Sequence, residues 1–152
     1  MGMVHFSFAT IVNQKFKQMY RLSKRSLRRL KGVEPIMIAI FVEGIKDSPY
    51  DFGIPRHGGL RTPDEQFLLY QQRPRITTKD GFKKKSYHQS GMAVDIYAFV
   101  DGKPTWETKY YKPIADHLKK VAKEKFNVTL EWGGDWKTFV DLPHFQIKKN
   151  QI

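Results

Sequence analysis

The chain has 152 residues, enough for one domain that buries a hydrophobic core without added cross-links. It contains no cysteine, which excludes disulfide bonds, thiolate metal sites and cysteine nucleophiles. Its 27 basic and 15 acidic residues give a net charge of +12. We therefore expect either attraction to polyanions, such as nucleic acid, anionic lipid or bacterial envelope polymers, or simply a well-solvated surface.

The N-terminal third predicts two helices. Residues 13–30 carry apolar side chains at helical spacing beside a basic stripe, which consists of Lys17, Arg21, Lys24, Arg25 and Arg28. Gly32 and Pro35 then end this helix and begin the next, predicted over Pro35–Ile45. The apolar run of the second helix is too short to cross a membrane, and no clean cleavage site follows it. We expect neither a transmembrane segment nor a signal peptide.

The middle of the chain predicts a short strand, a helix and a basic loop. The strand is expected over Tyr50–Ile54. Thr62 offers an N-cap hydroxyl before Pro63, so we predict a helix that runs to about Gln72. Residues 73–85 are basic and rich in turn formers, and a loop of this length suggests a lid or a binding loop.

The C-terminal half predicts most of the strands. Ala93–Val100 alternates like a strand and ends at the Asp101-Gly102 turn, and an amphipathic helix follows over Lys109–Phe126. Further extended segments are expected over Val128–Trp132, Phe139-Val140 and His144–Ile147. Because the helices come first, without regular β-α-β alternation, we predict one α+β domain over residues 1–152, with a small antiparallel sheet and flanking helices.

Two histidines and two aspartates form the most informative pattern. His88 precedes Asp95 by seven residues, and Asp141 precedes His144 by three. Two neutral imidazoles and one carboxylate can hold zinc on three sides and leave a fourth position open, as catalytic sites do. Strand alternation directs Asp95 away from the apolar face, and Gly91 permits a tight turn after His88, so the ligands can converge. Asp141 is then available as a proton carrier.

These residues also have ordinary structural interpretations. A single histidine is more often a satisfied surface or core residue than a ligand, Asp95 could end a strand, and Asp141 could form a turn. Glu131 and Asp135 compete for the proton-carrier role. We prefer Asp141 because its proximity to His144 keeps it beside the metal.

The remaining aromatic and histidine candidates are less specific. Trp132 and Trp136 flank a double glycine, where they either line a substrate cleft or pack in the core, and we take Trp132 as a candidate substrate contact. His57 could contact substrate or belong to a loop. His5 and His117 have no role in the hypothesis.

Four motifs occur in sequence order between residues 50 and 147. They are Gly59-Leu-Arg61-Thr-Pro-x-Glu65-Gln66, Ser86-x-His88-x-x-Gly91-x-Ala93-x-Asp95, Trp132-Gly-Gly-Asp-Trp136 and Asp141-x-Pro143-His144-Phe145. Together they resemble the zinc D-alanyl-D-alanine carboxypeptidase family. Within it, the chain is most similar to phage endolysins that act as L-alanyl-D-glutamate endopeptidases.

The resemblance implies a fold and a set of roles. The fold is the small α+β fold shared with the Hedgehog signalling domain, and the implied zinc ligands are His88, Asp95 and His144. Asp141 matches the general acid/base, and Arg61 matches the residue that binds substrate and stabilises the oxyanion. Ser86 is expected near the substrate or behind the metal ligands.

The expected function is a zinc-dependent peptidoglycan peptidase that cuts the stem peptide between L-alanine and D-glutamate. The alternatives are a D-alanyl-D-alanine carboxypeptidase and a non-catalytic zinc domain, although the presence of Asp141 and Arg61 speaks against the latter. The basic stripe could bind anionic envelope polymers, whereas no nucleic-acid motif is recognised and no nucleic-acid partner is expected. We expect a monomer that accumulates in the host cytoplasm and then acts on the cell wall.

Overall fold

The computed structural model describes residues 19–151, which fold into helices and two small sheets. In chain order, the helices are α1 (Lys24–Arg29), α2 (Pro35–Gly44), α3 (Pro63–Gln71) and α4 (Thr108–Phe126). The strands are β1 (Asp51–Gly53), β2 (Ala93–Asp95), β3 (Tyr97–Val100), β4 (Lys103–Thr105), β5 (Glu131–Trp132) and β6 (His144–Gln146). The predicted α+β class is confirmed. Within the described range, no helix is both long and apolar enough to cross a bilayer.

The strands form two antiparallel sheets where the sequence predicts one. One sheet has the order β1-β3-β4 and the other has the order β2-β6-β5. The predicted strand over Ala93–Val100 is therefore wrong, because its two halves belong to different sheets. At the break, the Ile96 amide donates to Pro143 O at 3.0 Å, and the Ile96 side chain is fully buried. The chain passes through the core at this residue, which strand periodicity cannot reveal.

One aromatic side chain of α2 joins the two sheets. The ring of Phe41 is fully buried and packs edge-on against Phe52 of β1 and Phe145 of β6, at centroid distances of 6.2 and 5.6 Å. On the other side, α2 approaches α4 closely at Gly44, where a Cβ atom would lie 2.4 Å from Leu118 Cδ2. Burial of such side chains contributes roughly 1.5–3 kcal/mol each, so this cluster holds the sheets in a fixed relation.

The helix predictions are confirmed for α2, α3 and α4, but the first helix is shorter than predicted. It begins at Lys24, because Ser23 Oγ accepts from the Ser26 amide at 3.1 Å and caps the helix there. Residues 19–23 are not helical, and residues 13–18 of the predicted helix lie outside the described residues.

Two strand predictions also need correction. Only Glu131–Trp132 of the predicted strand over Val128–Trp132 pairs with a neighbour, and Phe139-Val140 forms no strand. Phe139 has a φ of 51°, in the left-handed region that interrupts extended structure. The sequence also misses β4, where Pro104 weakens the strand signal; proline is tolerated there because β4 is an edge strand.

Candidate metal centre and active site

The pairing of β2 with β6 brings two of the candidate ligands together. In this antiparallel register, Asp95 lies directly opposite His144. Asp95 ends β2 and His144 begins β6, so both side chains lie at one end of the sheet. Residues separated by about fifty positions in the sequence thus become cross-strand neighbours.

The third candidate ligand, His88, lies in a 3-10 turn that its own sequence motif builds. Ser86 Oγ accepts from the His88 amide at 3.2 Å, and Gln89 Oε1 accepts from the Ser86 amide at 2.8 Å, which together form a capping box. Gly91 ends the turn with a φ of 73°. A Cβ atom at Gly91 would lie 2.9 Å from Gly32 O, so glycine is required there for both conformation and space.

Three potential ligand atoms form a nearly equilateral triangle. Asp95 Oδ1 lies 3.1 Å from His88 Nε2 and 3.2 Å from His144 Nδ1, and the two nitrogens are 3.3 Å apart. Both imidazoles are buried. Ligands of a tetrahedral ion bound at about 2.0–2.1 Å are about 3.3 Å from one another. The triangle therefore fits one face of a tetrahedral metal site.

An outer partner fixes the tautomer of each histidine. His88 Nδ1 lies 2.9 Å from Gly59 O, and a carbonyl only accepts, so this nitrogen carries the proton. His144 Nε2 lies 2.8 Å from Gln146 Oε1, while Gln146 Nε2 donates to Glu131 Oε2 at 2.8 Å. The glutamine oxygen must then face His144, whose Nε2 donates to it. In the neutral imidazoles, His88 Nε2 and His144 Nδ1 carry lone pairs.

The meeting of these atoms requires a cation. Two nitrogen lone pairs and a carboxylate oxygen at these distances repel one another unless a proton or a metal ion lies between them. Two imidazoles and a carboxylate are ligands that zinc accepts, and three protein ligands are typical of catalytic zinc sites. The described residues thus fit a metal ion by both geometry and donor chemistry.

The electrostatics favour the metal-binding form at Asp95 and His88 but oppose it at His144. Burial raises the pKa of Asp95, but the charges and hydrogen bonds of both histidines outweigh it and hold that pKa well below its usual range. Burial dominates at His88 and lowers its pKa, which favours the neutral ligand form. At His144 burial also acts to lower the pKa, but contacts with Asp95 and Gln146 raise it overall. In the metal-free protein a proton on His144 therefore competes with the metal.

Asp141 lies beside the triangle without belonging to it. Its Oδ2 is 3.9 Å from His144 Nδ1, and 43% of the side chain is exposed. Burial, followed by repulsion from Asp95, raises the pKa of Asp141 to about 6. The Asp141 amide donates to Gly133 O at 3.0 Å, and a Cβ atom on Gly133 would lie 2.3 Å from Asp141 O. The double-glycine segment thus supports the backbone of the acid.

The two competing acids have other partners. Glu131 bonds to Gln146 and lies 3.3 Å from Lys148 Nζ. Asp135 is exposed and pairs with Lys119. Among the described residues, neither carboxylate contacts a member of the triangle, which leaves Asp141 as the acid beside it.

Arg61 bonds to the carboxylate that forms one corner of the triangle. Its Nη2 donates to Asp95 Oδ2 at 2.8 Å, so each oxygen of Asp95 has a separate set of partners. Its Nε donates to His57 O at 2.7 Å and its Nη1 donates to Gln66 Oε1 at 3.1 Å. Two of its five N–H groups remain for another ligand. The sequence suggests a contact between Arg61 and substrate, but not its contact with Asp95.

Comparison with known proteins assigns the chain to a family. Residues 18–150 match the family model described as phage L-alanyl-D-glutamate peptidase. The chain belongs to this family. The match covers every residue of the triangle as well as Arg61 and Asp141.

Individual relatives agree with this assignment. An L-alanyl-D-glutamate peptidase of Escherichia phage T5 is 28% identical over 134 residues, or 86% of this chain and 90% of the relative. The peptidoglycan L-alanyl-D-glutamate endopeptidase CwlK of Bacillus subtilis (strain 168) is 35% identical over 102 residues, or 60% of this chain and 59% of the relative. The crystal structure of the Serratia marcescens L-Ala D-Glu endopeptidase ChiX has a TM-score of 0.74 and 31% identity, covering 88% of this chain and 94% of that chain.

The triangle opens into a cavity of about 570 Å³. Its walls include Ser86, Asp141 and part of the basic loop, residues 75–79. Gln66 is fully buried and fixes that loop, because its Nε2 donates to Lys79 O at 2.9 Å and to Thr77 Oγ1 at 3.3 Å. The loop that the sequence suggests as a lid or binding loop therefore forms one wall of the cavity.

The two tryptophans have different positions. Trp132 is buried, and its Nε1 donates to Leu142 O at 2.7 Å. It packs in the core and does not line this cavity. Its assignment as a substrate contact stays a prediction. Trp136 does line the cavity, with its ring 5.2 Å from that of His144. The alternation of these residues around two glycines does not reveal which one faces outward.

The structure also gives the contacts of two further histidines. His57 lines the cavity, with its Nδ1 3.4 Å from Glu65 Oε2. His117 bonds through Nε2 to Gly44 O at 2.8 Å, which joins α4 to the end of α2. His5 lies outside the described residues.

The raised pKa of Asp141 predicts that this residue destabilises the metal-free fold. The pKa of this carboxyl is 3.8 in the unfolded chain and about 6 in the folded protein. The free energy of unfolding of the protein therefore falls as the pH rises between these two values. The pKa difference corresponds to about 3 kcal/mol in the free energy of unfolding, and solvent screening at this half-exposed group reduces that to about 1 kcal/mol. Asp141→Asn should therefore stabilise the metal-free protein by that amount above pH 7, but not at pH 4.

Urea unfolding in the presence of a chelator at both pH values measures this difference. A destabilised Asp141→Asn variant at the higher pH, or an equal gain at both, would contradict the predicted electrostatic cause.

Proposed function

We propose that this protein is a zinc-dependent peptidoglycan peptidase that hydrolyses the L-alanyl-D-glutamate bond of the stem peptide. Family membership and the named activities of the relatives support the choice of this bond as the one that is cleaved. The single observation that supports the chemistry most strongly is the triangle of lone pairs at the end of an open cavity, with an acid beside it.

His88, Asp95 and His144 would hold the zinc ion, through the atoms that face one another in the triangle. When bound, zinc supplies Lewis acidity, which makes water nucleophilic near neutral pH and polarises the scissile carbonyl. The outer hydrogen bonds to Gly59 O and Gln146 keep both imidazoles in the tautomer that binding needs.

Asp141 would act as the general acid/base. It lies close to His144 but outside the ligand set, which leaves its carboxylate available to exchange a proton with the attacking water. Its carboxylate would accept the proton of the attacking water. It would then deliver that proton to the amine nitrogen of D-glutamate as the peptide bond breaks.

Arg61 would have two functions. Its bond to Asp95 Oδ2 orients the carboxylate, so that Oδ1 remains directed at the histidines. Its remaining N–H groups and its permanent charge would stabilise the negative oxygen that develops on the substrate carbonyl. Ser86 lines the cavity, where we propose that it contacts substrate as well as holding the His88 turn.

Asp141→Asn tests the proposed division of roles. We expect kcat to fall by about 10²–10⁴-fold, because the amide cannot accept or deliver the proton. The zinc content should remain at about one ion per chain, because three other residues bind the metal. Turnover on purified peptidoglycan and metal analysis of the same preparation measure both quantities. Loss of zinc would instead make Asp141 a ligand.

The products of the wild-type digestion identify the bond. Mass spectrometry should detect a released stem peptide that begins with D-glutamate, and its formation should stop when a chelator removes the metal. Release of free D-alanine would indicate a carboxypeptidase instead. A folded, zinc-loaded protein that releases neither product would indicate a non-catalytic binding domain.

We also propose that a basic surface around α1 binds anionic polymers of the cell envelope. It consists of the exposed side chains of Arg21, Lys24, Arg25, Arg28 and Lys31. None of them forms an ion pair with another described residue. The neighbouring Arg29 instead donates to Ile54 O at 2.8 Å and fixes α1 to the segment that supports the site. Lys17 of the predicted stripe lies outside the described residues.

Neutralising part of this surface should weaken adhesion to the wall. We expect Arg25→Gln/Arg28→Gln/Lys31→Gln to bind purified cell walls less well than wild type and to lose most of the salt dependence of binding. The matched control removes the same charge from exposed lysines elsewhere, as Lys103→Gln/Lys120→Gln/Lys123→Gln. Sedimentation with cell walls at low and raised salt measures binding. Equal loss in both variants would indicate a general charge effect and reject a localised surface.

As a phage-type lysin, the protein would accumulate in the host cytoplasm and reach the wall after the membrane is permeabilised.

A further inference from the structure

A row of hydrogen bonds runs from one edge of the second sheet to the metal-binding triangle. Glu131 of β5 lies directly opposite Gln146 of the central strand β6, and its Oε2 accepts from Gln146 Nε2 at 2.8 Å. Gln146 Oε1 then lies 2.8 Å from Nε2 of His144, two residues earlier on the same strand. His144 in turn faces Asp95 of β2 across the next strand pair. The row crosses all three strands.

We infer that Glu131 is a positioning residue for the metal site. Through Gln146, it determines which nitrogen of His144 carries the proton, and so keeps Nδ1 free to bind the metal. The inference rests on the zinc site of the proposed function, but it assigns a role to a carboxylate that lies outside both the ligand set and the acid/base step.

The reason lies in the symmetry of the glutamine amide. A glutamine side chain can turn its oxygen or its NH₂ group towards a neighbour with almost no change in shape. Alone, Gln146 could therefore accept from His144 Nε2 or donate to it. Glu131 removes this ambiguity, because a carboxylate only accepts and so attracts the NH₂ end.

The two orientations have opposite effects on the site. With the oxygen towards His144, Nε2 carries the proton and Nδ1 offers its lone pair to the triangle. With the NH₂ group towards His144, Nε2 must accept, and the proton of a neutral imidazole moves to Nδ1. That proton occupies the position of the metal. Both side chains are more than nine-tenths buried, so water cannot easily replace the partner that a wrong orientation lacks.

A structural role for Glu131 predicts different behaviour. The carboxylate also lies 3.3 Å from Lys148 Nζ, so it could simply stabilise the sheet edge. Substitutions that separate orientation from stability distinguish these roles. Glu131→Gln keeps the shape but offers an amide to Gln146, which then no longer has a fixed orientation. Lys148→Met removes the ion pair and leaves the orientation unchanged.

The decisive variant exchanges the two side chains as Glu131→Gln/Gln146→Glu. The new carboxylate at position 146 can only accept, so it again requires His144 Nε2 to donate. It can also accept from the new amide at position 131. The exchange preserves the size, the composition and the formal charge of the pair.

Zinc affinity of the full chain, measured by competition with a chromophoric chelator, is the main readout. We expect Glu131→Gln to bind zinc about 10–100-fold more weakly than wild type. The exchange variant should recover to within a few-fold, and Lys148→Met should match wild type. Nitrogen NMR of the metal-free proteins, at a pH high enough for His144 to be neutral, should show its tautomer shifting in Glu131→Gln and returning in the exchange variant, which a purely structural role would not produce.

The outcomes separate this inference from the proposed function. Unchanged affinity in Glu131→Gln, or an exchange variant that is folded but binds zinc as weakly as Glu131→Gln, would overturn the positioning role while the zinc site stands. A folded wild-type protein that binds no zinc would overturn the proposed function itself. If Glu131→Gln does not fold, the exchange variant still tests the role, because a tenfold loss of its zinc affinity would reject it.

Discussion

The repulsion among three lone pairs is the constraint on which the rest of the structure depends. Asp95 Oδ1, His88 Nε2 and His144 Nδ1 lie 3.1 to 3.3 Å apart inside the protein, where water does not separate them. The fold maintains this contact through the register of β2 and β6 and through a capped turn closed by a left-handed glycine. Such a contact is stable only when a proton or a metal ion is shared, and the three atoms are positioned to bind a metal ion.

Each residue of the triangle is held from outside by a different part of the chain. The Gly59 carbonyl supports His88, Arg61 supports Asp95, and the Gln146–Glu131 pair supports His144. Hydrogen bonds of this kind set tautomer and orientation, and the loss of such a partner typically weakens metal affinity about 10–100-fold. The same contacts join the site to the loop before α3 and to strand β5. The walls of the cavity are therefore coupled to the geometry of the centre.

Much of the site could be predicted from sequence because its parts are local motifs. The turn around His88, the N-cap at Thr62 and the pairing of His144 with Gln146 on one face all follow from short-range rules of capping and alternation. The helices α2, α3 and α4 follow equally from periodicity and punctuation.

The features that the sequence does not predict depend on packing between residues that are far apart in the chain. The break at Ile96 arises because the chain crosses between two sheets, although its residues alternate as in one strand. Trp132 packs in the core, where its Nε1 donates to Leu142 O, and the bond from Arg61 to Asp95 joins residues thirty-four positions apart. The predicted first helix begins too early, because the Ser23 side chain caps the helix at that position although the apolar spacing continues through it.

The most direct test is a crystal structure of the zinc-loaded protein, with anomalous diffraction measured on both sides of the zinc absorption edge. The expected result is one zinc peak in contact with His88 Nε2, an oxygen of Asp95 and His144 Nδ1, at about 2.0–2.2 Å from each. A peak elsewhere, or a zinc ion bound by only one of these side chains, would contradict the shared site.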